Sequence, residues 1–95
     1  MIERHVTFHV RPKKGKEFTR FFEEEYQPAM AKTEGFLKAE LLKERNTDQD
    51  FVMILRFESI DTAAVWRASS EHAELKPHLK SLYDGSELRV LELVI

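Results

Sequence analysis

The chain contains no cysteine. Disulfide cross-links and thiolate metal centres are therefore excluded. Glycine and proline occur only three times each, and no low-complexity tract or internal repeat is visible. No glycine-rich loop exists to cradle a dinucleotide, so neither a flavin nor a nicotinamide is expected, and no cofactor is assigned. No apolar run approaches the ~20 residues that span a bilayer. The only basic block is Arg11-Pro12-Lys13-Lys14, too little for a nucleic-acid footprint. The chain begins with polar and apolar residues in alternation and has no apolar h-region, so a signal peptide is not expected and a cytoplasmic location is.

What is present fits one small folded unit. Ninety-five residues with net charge −2 and 42% hydrophobic residues make a single domain over 1–95. A chain of this size buries roughly 60–65% of its unfolded surface, so its own core gives modest stability.

Ile2 to Val10 alternates as a strand, with Ile2, Val6, Phe8 and Val10 on one face, interrupted by Arg4. Glu3, His5, Thr7 and His9 form the other face. Pro12 ends the strand, and Lys13-Lys14-Gly15 reads as a turn. Between Lys16 and Lys32 the period becomes helical: Phe18, Phe21, Phe22, Tyr26, Ala29 and Met30 make one stripe. Pro28 should kink or split this helix, and Gly35 should stop it.

A second strand over Phe36 to Glu44 places Leu37, Ala39 and Leu41 opposite Phe36 and Leu42. The polar stretch 45–50 then turns into a third strand, Phe51 to Phe57. Asp61 reads as the N-cap of a short helix holding Trp66, and Ser69 or Ser70 as a second cap. The helical stretch Glu71 to Tyr83 should be interrupted near Pro77. Asp84-Gly85-Ser86 reads as a turn before a last strand, Leu88 to Ile95. The order strand, helix, strand, strand, helix, strand predicts an α+β, ferredoxin-like βαββαβ domain with a four-stranded antiparallel sheet.

Helices on one face leave the other to water. Yet strand three carries Val52 and Ile54 opposite its core residues, and strand four carries Leu88, Val90 and Val94 opposite Leu91, Leu93 and Ile95. Such a patch is rarely left open in a monomer. A second copy packed sheet against sheet is the simplest cover, so a homodimer is expected.

Arg11-Pro12 with Gly15, Glu34-Gly35-Phe36, and above all Trp66-x-x-Ser69-x-x-His72 make the whole chain resemble the antibiotic biosynthesis monooxygenase (ABM)-like branch of the dimeric α+β barrel proteins. The resemblance implies a homodimeric barrel with a pocket in each protomer between sheet and helices. Some members of the family oxidise phenols or quinols with oxygen and no cofactor, others cleave haem, and many have no known activity. The haem-cleaving branch uses an asparagine on the first strand and a histidine beyond the tryptophan. Here strand one has no asparagine and Lys76 stands ten residues past Trp66, which argues against haem cleavage.

The candidate site residues each carry two readings. By the resemblance Trp66 lines the pocket; by composition it is a core aromatic. His72 either orients or deprotonates a phenol, as a group that titrates near neutrality can, or hydrogen-bonds at a helix start. Phe22 and Tyr26 are core residues or a stacking wall for a flat substrate. His5 and His9 lie roughly 13 Å apart at about 3.3 Å per residue, so no single metal takes both, and no metal site is assigned. They line the pocket if the odd face of strand one meets the helices, and an interface if it does not. Arg56 breaks an apolar strand and needs a carboxylate or an anionic ligand. The expected function is a cofactor-independent monooxygenase acting on a small aromatic molecule of quinol or phenol type; the alternative is a non-catalytic dimer binding a small ligand or a protein.

Overall fold

The first strand has the strict alternation that lets one face be buried and the other left open. In a computed structural model, which describes all residues Met1–Ile95, it forms β1, Ile2–Val10. The chain continues through α1 (Gly15–Phe21), a π-helical segment (Phe22–Tyr26), α2 (Gln27–Met30), β2 (Phe36–Lys43), β3 (Asp50–Phe57), α3 (Ile60–Ala68), α4 (Ser70–Ser81) and β4 (Tyr83–Glu92). The four strands form one antiparallel sheet in the order β2-β3-β1-β4. The ferredoxin-like α+β architecture is the one the element order predicts.

All helices lie over one face, and the core is the layer between. Phe8, Val10, Phe51, Met53, Leu55 and Phe57 supply its floor, and Phe18, Phe21, Met30, Trp66 and Leu82 its roof. The rings interlock: Phe18 stands 5.2 Å from Phe8 and 5.1 Å from Phe51, centroid to centroid, both tilted. Aromatic pairs in such geometry add to the stabilisation from burial alone.

The long helix does not break at Pro28. It widens just before it, where the Gln27 N–H reaches the Phe22 carbonyl five residues back. One wide turn absorbs the ladder position at which proline has no N–H to give. It also keeps Phe22, Tyr26 and Met30, four residues apart, on the buried side. At Gly35 the chain takes φ +89, and a Cβ there would lie 2.5 Å from Thr62 Cγ2, so no side chain is accommodated.

Several sequence expectations are corrected. Asp61 is not the cap of α3: Ser59 is, accepting a hydrogen bond from the Thr62 N–H at 3.2 Å while the Thr62 hydroxyl accepts one from the Ser59 N–H at 3.1 Å. This reciprocal arrangement satisfies two backbone donors at once, and Asp61 sits in the first turn. Ser69 caps α4, which runs through Pro77 without ending. Asp84-Gly85-Ser86 is not a turn but the start of β4, where the register slips between His9 and Val10. A second slip, between Phe36 and Lys38, sets Phe36 on the helix-facing side with Ala39 and Leu41 and leaves Leu37 exposed.

The strand-four patch is also placed differently. Val6 pairs with Leu88 and Arg4 with Val90, so both apolar residues belong to the helix-facing side. They are about half exposed there, at the edge of the sheet beside α3. The open face of β4 alternates Glu87, Arg89 and Leu91.

The Ser59 cap carries a direct prediction. Ser59→Ala should lower unfolding free energy by about 1 kcal/mol, measured by urea denaturation, whereas Asp61→Asn should change it by less than about half of that. Equal losses would mean that Asp61 secures the start of α3 as much as Ser59 does.

Candidate functional site

The parity of β1 decides which candidates share a site. Ile2, Arg4, Phe8 and Val10 are buried beneath the helices; Glu3, His5, Thr7 and His9 point to the open face. His5 and His9 therefore do not line a pocket between sheet and helices. His5 Nε2 lies 2.8 Å from Glu3 Oε1, and His9 lies 3.0 Å from Asp50 and 3.4 Å from Glu87. Arg56 is on the same open face, where its Nε donates to Glu3 Oε2 at 2.7 Å and its terminal nitrogen closes the ion pair. The arginine that interrupts an apolar strand thus has a carboxylate from the neighbouring strand, as the register Glu3 to Arg56 dictates.

Three other candidates converge. The π-helical turn brings Tyr26 in from above, α3 presents Trp66, and the start of α4 presents His72, whose backbone N–H donates to Ser69 Oγ at 3.1 Å. The Trp66 ring meets Tyr26 at 5.5 Å and His72 at 5.2 Å, each at 84°, and Tyr26 and His72 are 6.2 Å apart. Phe22 extends the cluster from Tyr26 at 6.4 Å. Trp66 is only 1% exposed and Tyr26 5%, so both pack as core aromatics in this state. His72 is half-buried.

Charge is unevenly distributed around these rings. Burial is the main force raising the Tyr26 phenol above its usual pKa, opposed by the cations Arg4 and Arg67. Burial also lowers the His72 imidazole below its ordinary value, assisted by Arg67, Lys76 and Arg4. These influences favour the neutral imidazole of His72, next to positive charge that would favour an anion. An open groove of about 1120 Å³ lies on the far side, between α1 and β2, reached by Phe22 and Phe51 but lined largely by charged residues. A smaller cleft of about 150 Å³ lies between α3 and β4, with Arg4 and Arg67 on its walls.

The model of the family described as antibiotic biosynthesis monooxygenase matches residues 1–77. The chain belongs to this family. Solved structures agree in fold. SnoaB from Streptomyces nogalater, a cofactor-independent oxygenase crystallised as its N63A mutant, is 22% identical and superposes with a TM-score of 0.89 over 99% of this chain and 93% of its own. A conserved protein from Methanosarcina mazei Go1 is 18% identical, with a TM-score of 0.85 over 96% of this chain and 90% of that one. PA3566 from Pseudomonas aeruginosa is 14% identical, with a TM-score of 0.83 over 99% and 94%. No curated protein matches the chain. No helix is long and apolar enough to cross a membrane.

Within this ABM fold, sequence reasoning overlooked Arg4. The signal was present: one charge on the otherwise apolar face of β1. Its partner in position, Arg67, had no distinguishing mark, because only the packing of α3 beside β1 brings the two cations near each other.

The histidines should titrate in a fixed order. For His72 the fold favours the neutral form, so its contribution to stability is complete above the unfolded pKa and is lost as pH falls through the lowered folded one. His9, held up chiefly by Asp50 and then Glu87, works in the opposite sense: its contribution is present at low pH and is lost as pH rises through the raised value. NMR titration of the ring protons should place the His72 midpoint below 6.5 and that of His9 above it, both having an ordinary value of 6.5. The reverse order would contradict the packing of His72 against Trp66.

Proposed function

We propose that this member of the ABM family is a cofactor-independent monooxygenase acting on a small electron-rich aromatic molecule of quinol or phenol type. One observation carries the reading: a histidine kept neutral by its surroundings stands against Trp66 and Tyr26 with Arg4 and Arg67 close by. A neutral imidazole can take the proton of an acidic phenol or of an activated carbon. The cations nearby would stabilise the anion so formed, and an electron-rich anion reacts with oxygen directly. One oxygen atom enters the product and the other leaves as water, with electrons supplied by the substrate. The chain's own contributions would be positioning, the base and exclusion of water. Family membership and the fold shared with SnoaB support the same reading.

The near-complete burial of Trp66 and Tyr26 favours a second reading, a module that binds without turnover. Oxygen uptake by the pure protein, stripped of metals and given quinols, anthrones or dihydroxynaphthalenes, separates the two. Saturable uptake that falls at least about tenfold in Trp66→Phe and in His72→Ala, a loss of roughly 1.4 kcal/mol in transition-state stabilisation, is the expected result. Uptake no faster than in buffer would leave the binding module.

We also propose that the active form is a homodimer joined through the open sheet face. There Val52 and Ile54 of β3 are half-buried and Leu42 of β2 is 50% exposed, fringed by the Glu3, His5 and Arg56 network. Equilibrium ultracentrifugation should find a dimer at micromolar concentration, and Ile54→Arg should weaken association at least about tenfold. A native chain that sediments as a monomer at that concentration would rule this assembly out.

A further inference from the structure

Arg4 is 9% exposed, and its Nε is buried with no hydrogen-bond partner. None of the ion pairs in the molecule includes Arg4 or Arg67. A buried guanidinium without an acceptor is costly, because desolvation is not offset by pairing. No carboxylate stands around it to supply an anionic acceptor. On the sheet its cross-strand neighbours are Leu55 and Val90. From the helices it is approached by Tyr26, whose phenol is kept protonated, and by a second cation, Arg67.

The same arginine forms part of the cleft between α3 and β4. Ile60, Ala63, Ala64 and Arg67 fall on one face of α3, and Ile2, Arg4, Leu88 and Val90 face them from the sheet. Two alanines side by side leave the space that larger residues would fill. The walls are thus aliphatic and the only charges are two guanidinium groups. At about 150 Å³ the cleft is comparable with a cavity that holds one benzene ring, roughly 150 Å³.

We propose that this cleft is a binding site for a small organic anion, an aromatic acid or ionised phenol of one ring, whose oxygens pair with Arg4 and Arg67 while its ring rests against Ile2, Ile60, Leu88 and Val90. Arginine offers adjacent N–H donors in a planar fork, which matches a carboxylate with two parallel hydrogen bonds. The negative charge of the ligand then offsets the desolvation of the Arg4 guanidinium, whose terminal nitrogens are the donors offered to the cleft. The inference narrows the substrate class of the oxygenase reading, through the proximity of Arg4 to Tyr26 and His72, but binding itself requires no turnover.

Benzoate and its neutral counterpart benzamide are suitable probes, compared at constant ionic strength by calorimetry and by thermal shift. Benzoate should bind saturably and raise the melting temperature, and benzamide should bind at least tenfold more weakly. Arg4→Met should abolish the benzoate response and, by removing an unpaired buried charge, raise the melting temperature of the free protein. Ala64→Leu, which fills the cleft from an exposed helical position without altering charge, should abolish benzoate binding while the protein remains folded by circular dichroism. Equal binding of benzoate and benzamide, or a benzoate response that survives in either variant, would overturn the proposal, as would no saturable binding of benzoate. Benzoate binding combined with no oxygen uptake on any quinol would sustain this site and remove the oxygenase reading, so the two can fail separately.

Discussion

The placement of every charged candidate on β1 depends on the alternation of side chains along that strand. The strand is central, paired with β3 on one side and β4 on the other, and all helices cover one face. A residue of β1 therefore belongs either to the core layer or to the open face, with no intermediate position, because successive side chains on a strand point to opposite sides. That single constraint buries Arg4 and puts Glu3, His5 and His9 together on the other side. It separates two kinds of chemistry that are adjacent in sequence: a charge-matched network on the open face, and an unmatched cation beneath the helices.

The two networks differ in how their electrostatics are balanced. On the open face carboxylates stand beside the cations of β1 and β3, and the result is ordinary: Arg56 meets Glu3, and His9 meets Asp50 and Glu87. The exposed His9 pairs add little stability, whereas the Arg56–Glu3 pair is partly buried. Beneath the helices the balance is absent. Burial, and after it Arg67, lowers the readiness of Arg4 to hold its proton, and burial together with Arg67, Lys76 and Arg4 lowers that of His72. Positive potential without a counter-ion, in a partly dehydrated space beside a neutral base, is the environment in which an anionic ligand is favoured.

Local irregularities tune what the alternation begins. The π-helical turn before Pro28 rotates Tyr26 onto the buried side, where it meets Trp66. The register slip at the start of β2 carries Phe36 to the core layer, 5.9 Å from Phe57. The slip near Val10 lets β4 begin at Tyr83, whose ring packs edge-on against Phe8 at 4.9 Å. Each slip adds one residue to one strand and so exchanges the faces of everything beyond it.

The sequence by itself determined the element order, the sheet with helices on one side, the family resemblance, and the aromatic stripe from Phe18 to Met30. Those follow from periodicity, which is local and visible in a single chain. It also carried the Trp66 and His72 pair, whose spacing across a capped helix junction makes them neighbours. The faces of His5, His9 and Arg56 were not legible, because alternation gives two sets without saying which one the helices cover. Nor were the extent of β4, where a sequence rich in turn residues is drawn into the sheet by β1, and the cap at Ser59, which competes with an equally suitable Asp61. Only the tertiary structure decided that Arg4 is the buried charge and Arg56 the paired one. Both are single arginines in apolar strands, and what separates them is whether the opposing strand and the layer above offer a carboxylate.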